Sequence, residues 1–414
     1  MNEKQLMDVI FKNFGFEVFT PGLLRTKPLY DFYVNYFKNL NIPIVIIAGT
    51  NGKGETAHSL SWLLNHQGIN AYTWTSPHIF SICERYSFAG EDVSLARLSM
   101  EVEAALLDYR QLEFKVSFYE FLFWVFLRLV VKDIDQSKKN VIVLEVGLGG
   151  RLDAVNHFAA NIVLLNSISR DHKEILGNRY DIILGEKCGV FRANQYVVSA
   201  LELAYLRQNV HDQEKEMGLN YFDLFENNIL NAETDFSDRN RKLALSGFEI
   251  LREKFFKISS VKTMTYSEIH WPIFKGRSEK MTYKGKEFIF VGAHNLDGMR
   301  KLVARMLKEE RKGLRPITFL VSFSKRDFSE TKAMLKMLLG LRGSLHLTNF
   351  NHPKAQESEL LHKLATEFSE VSFELSWMNY LEDFCEIKSA ESILITGSYY
   401  FIGEVQSYLR SKSS

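Results

Sequence analysis

The residues best able to do chemistry begin in a short stretch, IVIIAGTNGKGET, between positions 44 and 56. A β-branched strand that leads through glycines and a lysine into a helix leaves backbone N–H groups and a helix dipole facing an anion, as phosphate-binding loops do. The stretch does not match the strict GxxxxGK[ST] pattern, so an ordinary strand-to-helix turn with a surface lysine is the alternative. The candidate phosphate-binding residues are Gly49, Thr50, Asn51, Gly52, Lys53, Gly54, Glu55 and Thr56.

Charged groups that could hold a metal ion follow later apolar segments. Glu145 ends the run VIVLEV, where its carboxylate could hold a cation beside phosphates or form a salt bridge with Arg151. Asp171 and His172 come shortly after the run NIVLLN, and Lys187 follows them. A lone histidine is more often a loop residue than a ligand, but compatible groups arriving from separate strand ends favour a functional cluster.

A further candidate segment, GAHN at positions 292–295, follows the run EFIFV and precedes a helix expected to begin near Asp297. Its His294 and Asn295 lie at a strand end, where a loop either carries a site or simply turns. If both halves of the chain present such edges toward one cleft, a nucleotide could bridge them, and closure would exclude water.

The elements that must position these groups are apolar runs of strand length that alternate with helix-like stretches. Runs that are apolar on both faces are typical of a parallel sheet covered by helices, so we predict an α/β fold. The runs cover residues 42–48, 71–75, 141–146, 161–166 and 196–200, and then 287–292, 317–322, 344–348, 371–375 and 392–396. Two α/β domains are predicted, residues 1–270 and 271–414, with a linker near 262–277.

Composition and charge exclude several classes of protein. The 51 lysines and arginines nearly equal the 50 aspartates and glutamates, so no positive field would gather nucleic acid or anionic lipid. Three widely spaced cysteines indicate neither a disulfide framework nor a zinc site, and we expect a cytoplasmic protein. The run at 118–131, FYEFLFWVFLRLVV, is shorter than the roughly 20 residues of a membrane span and predicts a buried helix.

The order of motifs resembles the folylpolyglutamate synthase and dihydrofolate synthase family of the Mur ligase superfamily. AGTNGKG (48–54) looks like the family's phosphate loop, TSPHI (75–79) with Glu84 and Arg85 looks like its folate-side loop, and LEVGLGGRLDAVN (144–156) is the most specific match. Further matches are SFYEF, RDHKEILG, EKCGVF, GR, GAHN and TGSYYFIGEV. The resemblance spans nearly the whole chain. It implies a P-loop-type domain with a mostly parallel sheet, like the Mur ligase central domain, and a smaller Rossmann-like C-terminal domain.

What the resemblance implies is ATP-dependent joining of L-glutamate to dihydropteroate or a reduced folate through an acyl phosphate. Lys53 would grip the β and γ phosphates of ATP, while Glu145 and His172 would hold Mg²⁺. Lys187 matches a lysine that family members carry as a carbamate, which helps to place a second Mg²⁺. The implied ATP contacts outside the loop are Asn240, Arg277, His294 and Asn295, and the implied substrate contacts are Ser76, Pro77, His78 and Arg85. We expect small-molecule partners and a monomer.

The chain departs from the family pattern near the nucleotide. Glu55 stands in place of a magnesium-binding serine, Val291 in place of a ribose-contacting aspartate, and Phe236 and Ser237 in place of a His-Gln pair. Ser167 stands in place of an asparagine, but this departure does not bear directly on the nucleotide site. The carboxylate of Glu55 could ligate Mg²⁺ or repel the γ-phosphate.

Two hypotheses therefore stay open. The first is an active or weakened ligase with dihydrofolate synthase activity, folylpolyglutamate synthase activity or both. The second is a ligase-derived binding or regulatory protein that has lost catalysis. A ligase with a changed acceptor is disfavoured by the matching loops at 75–85.

Overall fold

A computed structural model describes residues 1–16, 22–258, 265–272, 274, 277–310, 317–387 and 392–413. Within it the chain divides into two compact units, Met1–Trp271 and Pro272–Ser414. Residues 262–264, 273, 275 and 276 of the predicted linker at 262–277 lie outside the described residues, as does the side chain of Arg277.

The first unit is built on one large sheet. Its described strands are β1 (Ile44–Ala48), β2 (Asn70–Trp74), β3 (Tyr86–Phe88), β4 (Glu91–Asp92), β5 (Asn140–Glu145), β6 (Ile162–Leu165), β7 (Tyr196–Ser199) and β8 (Asn220–Asp223). Their order across the sheet is β4-β3-β2-β5-β1-β6-β7-β8. Neighbouring strands pair in parallel from β2 through β5, β1, β6 and β7 to β8. Strand β3 pairs antiparallel with both β2 and β4.

Helices cover both faces of this sheet. They are α1 (Glu3–Phe14), α2 (Leu23–Asn39), α3 (Lys53–His66), α4 (Leu95–Tyr109), α5 (Phe118–Asp133), α6 (Lys173–Leu176), α7 (Tyr180–Cys188), α8 (Ala204–Met217) and α9 (Phe236–Ile250), with a π-helical turn at Leu251–Phe255. Alternate side chains of β1 point to opposite faces, so Ile46 joins the core under α5, whereas Ile47 joins the core under α3 and α9. This double coverage explains why the strand is fully buried.

The predicted buried helix is confirmed as α5. It begins with a capping box in which Ser117 accepts the N–H of Glu120 while the Glu120 carboxylate accepts the N–H of Ser117. Among the described residues, no helix combines the length and apolar character needed to cross a membrane.

The second unit has its own sheet and five described helices. The strands are β9 (Arg277–Tyr283), β10 (Lys286–Val291), β11 (Thr318–Val321), β12 (Leu345–Thr348), β13 (Val371–Glu374) and β14 (Ser392–Thr396). The helices are α10 (Leu296–Glu310), α11 (Phe328–Leu338), α12 (Ser358–Glu367), α13 (Trp377–Glu386) and α14 (Tyr399–Ser413). The sheet order is β13-β12-β11-β14-β10-β9, and the β9 and β10 pairing is antiparallel while the others are parallel.

All ten apolar runs form strands, which confirms the predicted α/β fold. Strands β3, β4, β8 and β9 were not predicted, because they are short or polar. One local signal marks β9: Lys284 and Gly285 both adopt positive φ, at 46° and 75°, and join β9 to β10 as a tight hairpin turn.

Candidate active site

The loop between β1 and α3 has the backbone that a phosphate-binding turn requires. Gly49 and Gly52 adopt φ of 142° and 94°, a region that favours glycine. A Cβ atom on Gly49 would lie 2.6 Å from Cβ of Asn166, and one on Gly52 would overlap the side chain of Asn240. Glycine is therefore required at both positions, because Asn166 and Asn240 pack closely against the loop backbone. Helix α3 begins at Lys53, so its first N–H groups lie next to this turn.

Hydrogen bonds tie this loop to the segment that follows β6. The Thr50 N–H donates to the Ser167 carbonyl oxygen at 2.7 Å, and the Thr50 hydroxyl both accepts the Ser169 N–H and donates to the Ser169 carbonyl. The Ser167 hydroxyl donates to the Asn51 carbonyl at 3.3 Å. Ser167, one of the departures from the family pattern, therefore supports the loop directly. The segment then continues to Asp171 and His172.

Two lysines donate to backbone carbonyls of the same loop. Nζ of Lys53 lies 3.1 Å from the Thr50 carbonyl oxygen, and Nζ of Lys187 lies 2.8 Å from that of Gly49. Lys187 is only 3% exposed. Burial, helped by the charge of Lys53, lowers the pKa of Lys187 to about 7, although the nearby charge of Asp171 acts in the opposite direction. A neutral amine is therefore accessible near neutral pH.

Glu145 is the last residue of β5 and is nearly fully buried. Its Oε2 accepts the backbone N–H of Ser76 at 3.0 Å, which links the metal-ligand candidate to the folate-side loop. Arg151, the alternative partner considered for this carboxylate, forms its ion pair with Glu186 at 2.8 Å. The strand end therefore presents a carboxylate that is positioned by a backbone amide.

His172 is the N-cap residue immediately before α6 and has a left-handed conformation, with φ and ψ both at 48°. Its side chain is 52% exposed, and Nδ1 lies 3.9 Å from Oε1 of Glu174. The positive φ is uncommon for a residue other than glycine and marks a locally constrained turn.

The folate-side loop is held by buried charged groups. Arg85 is buried, its Nε lies 2.9 Å from Nδ1 of His78, and its guanidinium lies over the Phe118 ring. The Ser76–Pro77 peptide bond is cis.

Two carboxylates cap the same loop from different parts of the sequence. Glu84 accepts the N–H groups of Ile79, Phe80 and Ser81. Glu3, on α1, accepts the Ile82 N–H at 2.6 Å and the Ser81 hydroxyl at 3.0 Å.

In the second unit, the GAHN segment forms the entry to α10. The Asn295 Oδ1 accepts the Gly298 N–H at 2.9 Å, as a residue at a helix start does. Nδ1 of His294 lies 3.2 Å from the Gly292 carbonyl oxygen, and its ring packs against Tyr399. Val291, at the end of β10, has its carbonyl bonded by the Thr396 hydroxyl.

Several residues of the first unit's site were not predicted as functional. Asn166 and Ser169 contact the phosphate loop, and their only sequence signal is that they are polar residues at the end of an apolar run. Asp153 is buried and accepts N–H groups from Gly147, Leu148 and Val155. Burial raises the pKa of Asp153 to about 6. It was quoted within the motif LEVGLGGRLDAVN but was given no role of its own.

The amino-acid sequence of this chain is similar to those of known proteins. A family model described as dihydrofolate synthetase, C-terminal domain, matches residues 276–410. The dihydrofolate synthase/folylpolyglutamate synthase of Bacillus subtilis (strain 168) is 27% identical, over 94% of this chain and 95% of its own length. Over nearly its whole length the chain is similar to dihydrofolate synthase/folylpolyglutamate synthases, as its motifs predicted.

Solved structures of folylpolyglutamate synthase/dihydrofolate synthases share the fold over nearly the whole chain. The bifunctional folylpolyglutamate synthase/dihydrofolate synthase of Yersinia pestis, complexed with AMPPNP and a Mn ion, superposes with a TM-score of 0.77 at 20% identity, covering 98% of both chains. E. coli FolC in complex with DHPP and ADP gives a TM-score of 0.77 at 20% identity, covering 99% of this chain and 98% of that one. The predicted α/β fold with two domains is thereby confirmed.

Proposed function

We propose that this protein is an ATP-dependent amide ligase that adds L-glutamate to dihydropteroate or a reduced folate and releases ADP and phosphate. The observation that carries the proposal is the loop at 49–56, where two close-packed glycines and two lysines surround one turn at a helix start. The relative from Yersinia pestis binds AMPPNP and Mn, and the relative from E. coli binds DHPP and ADP, which supports the same ligand classes here.

The residues of the first unit fit a triphosphate and a divalent cation. The loop backbone offers N–H groups at the start of α3, and Gly49 and Gly52 let it pass close to Asn166 and Asn240. Glu145 supplies a buried carboxylate at a strand end, and hard cations prefer such oxygen ligands. We assign Mg²⁺ ligation to Glu145 and His172. When bound, the cation would neutralise charge on the transferring phosphate.

Lys53 and Lys187 have different tasks in this proposal. Lys53, at the first position of α3, places a positive charge beside the phosphates. Lys187 is buried with a lowered pKa, so its neutral amine can attack carbon dioxide. A C–N bond then forms at Nζ, one proton leaves to solvent, and the resulting carbamate carries a negative charge that suits a second cation. The ATP contacts assigned to Asn240, Arg277, His294 and Asn295 stay predictions.

The folate-side loop is proposed to hold the acceptor. Ser76, Pro77, His78 and Arg85 carry over from the family pattern, and the buried Arg85 offers a fixed cation near this loop. Because the Ser76 N–H bonds the Glu145 carboxylate, the acceptor loop and the proposed cation ligand are mechanically joined. This linkage would align the acceptor carboxylate with the γ-phosphate, the geometry that acyl phosphate formation needs.

The experiment that tests the proposal is a substrate-omission assay. Purified protein with ATP, Mg²⁺, L-glutamate and either dihydropteroate or tetrahydrofolate should release ADP and phosphate in the complete mixture alone. Comparing the two acceptors also separates dihydrofolate synthase from folylpolyglutamate synthase activity. Lack of turnover over a broad acceptor panel would contradict the proposal.

Nothing in the comparisons favours the alternative of a ligase-derived protein that has lost catalysis. We propose a cytoplasmic monomer whose partners are these small molecules, and light scattering after size-exclusion chromatography tests the monomeric state.

A further inference from the structure

The carboxylate of Glu55 points to a helix that lies far away in the sequence. Glu55 is the third residue of α3 and is only 4% exposed. Its Oε2 accepts a 2.7 Å hydrogen bond from Nδ2 of Asn240, on α9, and its Oε1 lies 3.9 Å from Nε of Arg241. Both carboxylate oxygens are thus next to donors of α9.

The hydrogen bond from Asn240 begins a directional chain. Because a carboxylate accepts, it draws the NH₂ group of Asn240 toward itself and leaves Oδ1 facing the other way. That Oδ1 accepts from Nδ2 of Asn166 at 3.0 Å, and the same nitrogen lies 2.8 Å from the hydroxyl of Thr56. Reversing the Asn240 amide would set oxygen against oxygen at Glu55 and NH₂ against NH₂ at Asn166.

The two amides in this chain are the side chains that pack against the glycines of the phosphate loop. Asn166 lies against Gly49, and Asn240 lies against Gly52. All three amide and carboxylate side chains are buried, so water offers little alternative bonding. The orientation of both amides, and hence the wall behind the loop, depends on the acceptor at position 55.

We propose that Glu55 is a positioning residue that fixes Asn240 and Asn166 behind the phosphate loop. In this proposal Glu55 does not bind Mg²⁺. The inference rests on the proposed function, in which this loop binds ATP. Arg241 beside Oε1 adds to the case, because a positive guanidinium disfavours a second cation at the same oxygen. The departure from serine at this position is therefore compensated within the protein.

Substitutions of Glu55 distinguish positioning from metal ligation. In Glu55→Gln the amide oxygen still accepts from Asn240 but the charge is lost, whereas in Glu55→Asp the charge remains but the side chain is one methylene too short. Calorimetric titration with ADP, with and without Mg²⁺, should show a loss of affinity below about fivefold for E55Q and above about tenfold for E55D. A metal ligand would give the reverse order, with a higher half-saturating Mg²⁺ concentration for E55Q.

A reciprocal exchange makes the test independent of overall folding. Asn240→Asp alone places two carboxylates together and should weaken ADP binding by more than about tenfold. Adding Glu55→Gln to it restores a donor and acceptor pair with the opposite direction, and should recover most of the lost affinity. Glu103→Gln, at an exposed position of α4, is the matched control.

The outcomes separate the two claims. The inference would be supported if the wild type binds ADP, E55Q binds it more tightly than E55D, and the double variant recovers the affinity lost in N240D. If the wild type binds ADP but E55D binds it more tightly than E55Q, or the double variant recovers no affinity, the inference alone would be overturned. A wild-type protein that binds no nucleotide would overturn the proposed function as well.

Discussion

The side-chain amine of Lys187 donates a 2.8 Å hydrogen bond to the carbonyl oxygen of Gly49. Lys187 lies in the last turn of α7, and Gly49 opens the loop after β1. The contact places a buried amine with a lowered pKa at the proposed phosphate site. Each side chain that surrounds the loop can be tested separately, because the structure gives each one a different partner.

Replacing Lys187 should abolish turnover while largely preserving nucleotide binding. Lys187→Met keeps the length and removes the amine, and Lys187→Arg keeps a positive charge that cannot become a carbamate. We expect both to lower kcat by about 100-fold or more, or about 2.7 kcal/mol of transition-state stabilisation. The measurement is steady-state phosphate release together with ADP affinity.

The matched control for this prediction is Lys215→Met, at an exposed position of α8. Near-normal turnover of K187R would contradict the proposed role of Lys187, because a guanidinium does not take up carbon dioxide.

The substitution Glu145→Gln should weaken the response to Mg²⁺ without unfolding the protein. The new amide oxygen can still accept the Ser76 N–H, so the folate-side loop keeps its anchor. Loss of the charge should raise the half-saturating Mg²⁺ concentration by at least about tenfold, since hard cations prefer anionic oxygen. Titration of activity with Mg²⁺, beside a thermal melt of the ligand-free protein, checks this. An unchanged Mg²⁺ titration would exclude Glu145 as a ligand.

The substitution Glu3→Ala should affect the acceptor and leave ATP unaffected. It removes the acceptor of the Ser81 hydroxyl and of the Ile82 N–H, and a buried donor such as this N–H costs about 1–3 kcal/mol when it is left without a partner. We expect the KM for dihydropteroate or folate to rise by up to about tenfold, and the KM for ATP to change little. Lys4→Ala, on the exposed side of α1, is the control. Equal effects on both substrates would argue for general destabilisation instead.

The free energy of unfolding should fall in mild acid because His157 is buried. Burial lowers the pKa of His157 from 6.5 to about 4, and its Nε2 lies 3.0 Å from the Thr26 hydroxyl. The unfolded chain therefore takes up a proton below about pH 6.5 that the folded chain refuses, so the free energy of unfolding falls between about pH 6.5 and pH 4. Urea denaturation at several pH values should show a smaller fall for His157→Gln than for the wild type. Parallel curves would contradict the assignment.

Local sequence patterns predicted most of the sheet framework. Each apolar run became a strand, because a strand covered on both faces must be apolar along its length, as β1 is. The polar edge strand β8 carries no such signal, since only Asp223 of its four residues is buried. The hairpin strand β9 was recognisable only from the Lys284 and Gly285 turn.

The candidate site was predictable only in part. The glycines and Lys53 lie in one contiguous stretch, and strand ends indicated Glu145 and His172. The contact between Glu55 and Asn240 joins two helices that are distant in sequence, and no local pattern encodes it. The same holds for Glu3, whose role depends on α1 reaching the folate-side loop.

The most direct test of the central claim follows an oxygen atom from acceptor to phosphate. Dihydropteroate or folate labelled with ¹⁸O in its carboxylate is incubated with the protein, ATP, Mg²⁺ and L-glutamate, and the released phosphate is analysed by mass spectrometry. The account predicts one ¹⁸O atom in phosphate for each amide formed, because the acyl phosphate breaks between carbon and the labelled oxygen. Phosphate released without label, or at a rate independent of the acceptor, would contradict it.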